Sequence, residues 1–104
     1  MSSTPNESEK IEQEPSSVDI SLLDIYQLVE LFIALLSEQA WRYMGLQANP
    51  RTNEINKDLV KAHIAIDCII SLVNDIEPNL AGTDKERLRN LITNLQINYA
   101  QQMK

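Results

Sequence analysis

Few side chains in the sequence are of the kinds that catalyse reactions. The single histidine, His63, stands four residues before Asp67, a spacing that on a helix brings two side chains together as an acid–base pair. Catalysis by such a pair needs a cleft and a third group, and no pattern in the sequence supplies either. We therefore expect His63 at the edge of a core and predict that the protein is not an enzyme.

The single cysteine, Cys68, lies in the stretch IAIDCII. Its neighbours are apolar or acidic and do not favour a thiolate, so Cys68 is interpreted as a small core residue. One histidine, one cysteine and scattered carboxylates do not give the spacing of a zinc site. The two glycines, Gly45 and Gly82, are too far apart for a phosphate-binding loop. The sequence thus predicts no metal ion and no cofactor.

The amino-terminal stretch differs in composition from the rest of the 104 residues. Its first 17 residues, MSSTPNESEKIEQEPSS, contain four glutamates, one lysine and a single apolar residue, Ile11, beyond the initial methionine. Such a segment buries too little surface to offset the entropy lost on ordering. We predict a disordered acidic tail over residues 1–18 and one helical domain over residues 19–104. The stretch lacks the basic start and apolar core of a secretory signal, and the lone cysteine fits a reducing compartment, so we expect a cytoplasmic protein.

The charge pattern also restricts the class of partner. The net charge is −6, and the nine basic residues are scattered, whereas nucleic-acid binding needs clustered lysine and arginine. The most apolar stretch, from Ile20 to Leu36, is short for a bilayer span and contains Asp24 and Glu30. We therefore expect neither a nucleic-acid partner nor a membrane span.

Hydrophobic periodicity predicts an all-α fold with three helices in an up-down-up arrangement. The helices are expected over about residues 21–44, 57–76 and 84–101. Side chains that can accept backbone N–H bonds mark each amino-terminal end. The expected caps are Asp19 or Ser21, then Asn56, then a capping box of Thr83 and Glu86. Gly45 suits the left-handed position that ends the first helix.

Each helix has a face expected to be buried. On the second helix, apolar residues recur every 3.5 residues, and on the third they mark one side. For the second helix they are Ile55, Leu59, Ala62, Ile66, Ile69, Val73 and Ile76; for the third they are Leu88, Leu91, Ile92, Leu95 and Tyr99. The expected core face of the first helix consists of Leu22, Ile25, Val29, Phe32, Ile33, Leu36, Ala40 and Tyr43.

The opposite side of the first helix carries a leucine stripe, defined as Leu28, Leu31 and Leu35. Apolar side chains on a nominally exposed face indicate an interface. We predict a homo-oligomer, most simply a two-fold dimer in which first helices pair. Two alternatives stay open: the third helix covers the stripe, or the stripe packs on another protein and makes the chain an adaptor subunit of a larger complex.

Trp41 and Arg42, beside Tyr43, form a second candidate contact surface. Trp, Tyr and Arg are the residue types that dominate binding hot spots. In many helical domains such residues instead close the end of the bundle, and both interpretations are kept.

Spaced residues over most of the helical region resemble the bacterial DUF1844 family, a domain of unknown function. They are Tyr43-Met44-Gly45-Leu46, Asn49-Pro50, Thr52, Asp58-Leu59, Ala62, Ile66-Asp67, Asn79-Leu80, Leu95 and Tyr99. The chain departs from the family pattern at His63, at Asp75-Ile76-Glu77-Pro78 and at Gln96, where the family has basic residues or a lysine-containing motif. The resemblance implies a small helical domain and brings no activity, cofactor or catalytic residue. Any anionic contact made by those basic residues is expected to be lost here.

Overall fold

A computed structural model describes residues 19–104, which form three α-helices without a β-strand. The helices are α1 (Ile25–Tyr43), α2 (Leu59–Ile76) and α3 (Gly82–Gln102). Two short 3-10 helices, Ile20–Leu22 and Glu77–Asn79, precede α1 and follow α2. The all-α fold with three helices is confirmed, whereas the predicted tail, residues 1–18, lies outside the described residues.

The first helix begins later than predicted, because Asp24 caps it. The Asp24 carboxylate accepts the N–H of Gln27 at 2.9 Å, and the Gln27 side-chain oxygen accepts the N–H of Asp24 at 3.1 Å. This reciprocal pair is a capping box and satisfies two N–H groups that lack partners at a helix start. Asp19 instead caps the short 3-10 helix, where its carboxylate accepts the N–H of Ser21.

The end of α1 follows the prediction at Gly45. The N–H of Leu46 bonds the carbonyl of Trp41 at 3.1 Å, and the N–H of Gly45 bonds that of Arg42 at 2.9 Å. These two bonds define a Schellman motif, in which the residue after the cap is left-handed. Gly45 has a φ of +85°, a conformation that side-chain-bearing residues rarely adopt.

The predicted caps of the other two helices are wrong. Asp58, not Asn56, caps α2: its carboxylate accepts the N–H of Lys61 at 3.1 Å. The third helix begins one residue before Thr83, with Ala81 at the cap position and no side-chain hydrogen bond there. The helix therefore already includes Thr83, and the predicted capping box with Glu86 does not form.

The core follows the predicted seams of α2 and α3. Buried side chains on α2 are Ala62, Ala65, Ile66, Ile69, Val73 and Ile76, and on α3 they are Leu88, Ile92 and Leu95. From α1 the core receives Ile33 and Ala40, together with Ser37, whose hydroxyl donates to the carbonyl of Ile33 at 2.8 Å. Met44, the residue that follows α1, is also buried in the core. Ile55 is exposed and precedes α2, so it does not belong to the seam.

Contacts between α1 and α2 pair the end of one with the start of the other. The N–H of Asp58 donates to the carbonyl of Tyr43 at 2.8 Å, and the Lys61 ammonium lies 5.4 Å from the centre of the Tyr43 ring. Phe32, nearer the start of α1, and Leu72, nearer the end of α2, line the same hollow between the two helices. The two helices therefore run antiparallel as a hairpin.

The third helix returns along α2 and packs mainly on that helix. Arg89 forms a two-pronged ion pair with Glu77, its Nε lying 2.7 Å from Oε2, and donates from Nη2 to Asn74 at 3.0 Å. Near the other end, the ring of Tyr99 lies 5.7 Å from that of His63. Packing of α3 on one side of the hairpin determines which face of α1 stays open.

Candidate functional surface

The predicted core face of α1 is too broad. Ile33 and Ala40 are buried, but Phe32 is 44% exposed, Ile25 is 63% exposed and Leu22 is 80% exposed. The prediction placed this face against both the second and the third helix. Because α3 packs mainly on α2, the side of α1 that carries Phe32 and Ile25 has no helix over it in the described part of the chain.

The three leucines of the leucine stripe differ in their surroundings. Leu35 is 51% exposed, whereas Leu28 and Leu31 are half-buried. The alternative in which the third helix covers the stripe is therefore wrong for Leu35. Leu35 and Phe32 stand next to each other as an exposed apolar ridge, which sequence reasoning missed because it assigned Phe32 to the core.

Beside this ridge runs a hollow of about 610 Å³, the α1–α2 groove. Its α1 wall consists of Phe32, Leu35 and Leu36. Its α2 wall consists of Asp67, Cys68, Ser71 and Leu72. At about 100° per residue, Cys68 and Leu72 lie on the opposite side of Ile69 from Asn74 and His63, which contact α3. The groove is therefore on the face of the hairpin that α3 does not occupy.

The groove continues as a smaller hollow of about 270 Å³ towards the carboxyl end of α1. Leu36 belongs to both hollows, and Tyr43, Lys61 and Ile64 line the second. Ile64 is exposed, and the Lys61 ammonium is held over the Tyr43 ring. The open face of the hairpin is thus apolar over much of its length and becomes polar near its end.

Cys68 is exposed and lines the groove, so its predicted place in the core is wrong. Its neighbour Ile69 is fully buried, and a helix turns about 100° from one residue to the next. A signal was present in the sequence, since Ser71 and Asp75 follow Cys68 on the same side of the helix.

His63 and Asp67 come together as their spacing predicts. Nδ1 of His63 lies 3.3 Å from Oδ2 of Asp67, and both side chains are more than half exposed. His63 is exposed but lies beside the ring of Tyr99, which packs against the core, so its position at the edge of the core agrees with the prediction. Exposure of both groups leaves no enclosed pocket around the pair, so the geometry is that of a surface contact.

Trp41 and Arg42 occupy the carboxyl end of α1. Trp41 is half-buried and packs against the core, as does Tyr43. The Arg42 guanidinium lies 3.7 Å from Glu38, while its Nε is buried without a hydrogen-bond partner among residues 19–104. Trp41 thus contributes to the end of the bundle, and Arg42 lines two polar hollows beside it.

Charge is concentrated on the α3 side of the hairpin. Arg87 donates to Glu30 at 2.7 Å and to Asp84 at 3.3 Å, and these bonds raise the pKa of Arg87 above its ordinary value. On the same side, the hydrogen bond from Arg89 lowers the pKa of Glu77. In the α1–α2 groove, Asp67 is the charged lining residue. The two flanks of the hairpin therefore differ: one is joined by ion pairs, and the other is an apolar surface.

Two further findings concern the described residues as a set. Within residues 19–104, no helix combines the length and the apolar character that crossing a bilayer requires. The same part of the chain does not bring three or more His, Cys, Asp or Glu side chains into a group that could hold a metal ion.

Comparison with known proteins identifies one family. Residues 26–101 match the family described as a domain of unknown function (DUF1844), which confirms the resemblance seen in the sequence. The match covers α2 and all but one residue of each of α1 and α3, and therefore both walls of the groove. Searches of curated proteins and of solved structures gave no match.

Proposed function

The chain belongs to the DUF1844 family, and from that premise we propose that it is a non-enzymatic cytoplasmic protein that acts by self-association through the open face of α1. The observation that carries the proposal is the exposed apolar ridge of Phe32 and Leu35 beside the α1–α2 groove. A contiguous apolar surface of this kind on a small domain is typical of an interaction site.

The energetic argument starts from burial. Covering a fully exposed leucine or phenylalanine contributes about 1.5–3 kcal/mol. Phe32 and Leu35 are each about half exposed, so covering both contributes roughly 1.5–3 kcal/mol per copy. In a two-fold contact each residue is present twice, which doubles this contribution. Self-association thus uses surface that folding of one chain leaves in water.

A small domain also gains stability from such a contact. Domains of this size bury a limited fraction of their surface, so burial exceeds conformational entropy by only a narrow margin. A partner that binds only the folded state shifts the equilibrium towards that state. The three helices and their partner copy are then the functional unit.

A second candidate function is that of an adaptor subunit, and the shape of the α1–α2 groove favours it. A groove between two antiparallel helices accepts the apolar face of a third helix, which a different protein can supply. In this case the purified chain is a monomer by itself and forms a stoichiometric complex with a foreign helix.

The test is light scattering coupled to size-exclusion chromatography on the full chain at tens of micromolar. We expect a dimer for the wild type and a folded monomer for Leu35→Glu. Ile97→Glu is a matched control, because Ile97 on α3 has the same 51% exposure as Leu35 and does not line the groove. It should remain dimeric.

Three outcomes contradict the proposal in different ways. A wild type that is monomeric at this concentration removes self-association and favours the adaptor. Loss of helical circular dichroism in Leu35→Glu, but not in Ile97→Glu, shows that Leu35 belongs to the core of the subunit. Dissociation by both substitutions to the same degree shows that added charge, rather than the ridge, is responsible.

A further inference from the structure

We infer that the apolar ridge of one copy lies in the α1–α2 groove of a second copy, with Cys68 buried at the contact. This inference rests on the self-association proposed above. The occupant of the groove is a second copy of this chain, and the contact covers the open face of the hairpin with the ridge at its centre.

The ridge and the groove lie side by side, since Phe32 and Leu35 are also the α1 wall of the groove. In the inferred dimer the two-fold axis runs between the ridge and the centre of the groove, so that Phe32 and Leu35 of each copy pack beside Cys68 and Leu72 of the other. Each copy thus supplies one ridge and one groove, as an isologous contact requires. Packing of one helix row into the furrow between two others is the usual mode of helix association.

The centre of the inferred contact carries no charge. A two-fold axis brings the groups that lie near it close to their own copies, so a charge there meets a like charge and opposes association. Phe32, Leu35 and Leu36 carry no charge, and neither do Cys68 and Leu72 across the groove. Asp67, the charged lining residue, is exposed and already lies 3.3 Å from His63. A contact with a different protein does not bring like charges together in this way, so it does not require an uncharged centre.

The open face of the hairpin sets the size of the contact. The 19 residues of α1 span roughly 28 Å, and two helices side by side are about 20 Å wide. A face of these dimensions has a projected area of roughly 560 Å², and the accessible surface of ridged side chains exceeds the projection. Stable protein contacts bury about 800 Å² per partner, so a contact of that size uses nearly the whole face. The open face of the hairpin is therefore large enough for a stable dimer without a contribution from α3.

The position of Cys68 makes the inference testable without a mutation in the interface. Its thiol is exposed in the single chain and covered in the paired arrangement. When dimers exchange rapidly with monomers, a thiol that is covered in the dimer reacts only through the monomer. The rate at which a maleimide alkylates Cys68 should then fall as protein concentration rises, in step with the monomer fraction measured by light scattering.

The control is a chain with Cys68→Ser and Ile97→Cys, and light scattering must first show that it dimerises like the wild type, because Cys68 lies at the inferred contact. Its single thiol lies on the outer surface of α3, at a position with exposure similar to the ridge, and its alkylation rate should not change with concentration. A constant Cys68 rate in a protein that dimerises overturns the inference, since the dimer then uses another surface, while the proposed self-association stands. A protein that stays monomeric over the concentration series overturns both.

Discussion

Val73 on α2 is the position where the packing of the hairpin can be measured most directly. Val73 is fully buried, whereas Val60 on the same helix is 71% exposed and lies away from the groove. The same substitution, valine to alanine, can therefore be made at both positions. We expect Val73→Ala to destabilise the protein strongly and Val60→Ala to leave its stability nearly unchanged.

The magnitudes follow from burial. Val73→Ala removes two buried methyl-sized groups, worth about 1.6 kcal/mol in transfer free energy, and leaves a small cavity that adds to the loss. The expected total is about 2–3 kcal/mol, a large part of the about 4–13 kcal/mol that a domain of this size has. At Val60 most of the side chain is already in water, and the higher helix propensity of alanine offsets the remaining loss. The expected change there is within about 0.5 kcal/mol.

The assay is urea unfolding followed by helical circular dichroism, with all variants at one protein concentration because self-association couples to stability. Val73→Ala should move the midpoint to lower urea with an unchanged slope, and should lower the melting temperature by roughly 10–20 °C. If the two variants unfold at the same urea concentration, Val73 does not lie in a packed core and the described hairpin packing is wrong.

Two further predictions concern local structure. Since Arg89 lowers the pKa of Glu77, the ion pair should stabilise the fold fully above the ordinary glutamate pKa, about 4.3, and should lose its effect as pH falls through the lowered value. The difference in unfolding free energy between wild type and Arg89→Ala should therefore shrink over that pH range. A difference that does not change with pH would contradict this prediction. Gly45→Ala should cost about 1–2 kcal/mol in urea unfolding, because Gly45 is left-handed and an added Cβ comes 3.3 Å from Lys57 Cδ. Gly82→Ala meets no atom within 4 Å and should be neutral or slightly stabilising; equal losses at both glycines would refute the backbone explanation.

Helix ends and buried helix faces depend mainly on nearby residues, and several of them were predicted correctly from the sequence. Gly45 marks the end of α1, and the seam of α2 from Ala62 to Ile76 is buried. The start of α1 was missed although the sequence contains its signal, an aspartate at position 24 followed by glutamine three residues later. Thr83 shows the converse, since its spacing to Glu86 matches a capping box that does not form.

Features that depend on the placement of α3 were not predictable in the same way. A helical wheel gives the directions in which the side chains of α1 point, but not which of those directions another helix covers. Phe32 and Cys68 were therefore both assigned to the core, although both lie on the flank of the hairpin that α3 leaves open. Of the leucine stripe, Leu35 is exposed, and whether the stripe forms an interface stays a prediction. The α2 wall of the groove could not be predicted from the sequence, because it depends on where α3 packs.

The order of the helices along the chain has a consequence for folding. Contacts between α1 and α2, and between α2 and α3, join neighbouring segments, a pattern of low contact order that is typical of rapid folding. During synthesis the segments of α1 and α2 leave the ribosome before α3. Until α3 arrives, the hairpin exposes both the surface that Leu88 and Leu95 later cover and the groove. Before α3 packs, the hairpin therefore exposes two apolar surfaces to neighbouring nascent chains. Packing of α3 covers one of them and leaves the other open.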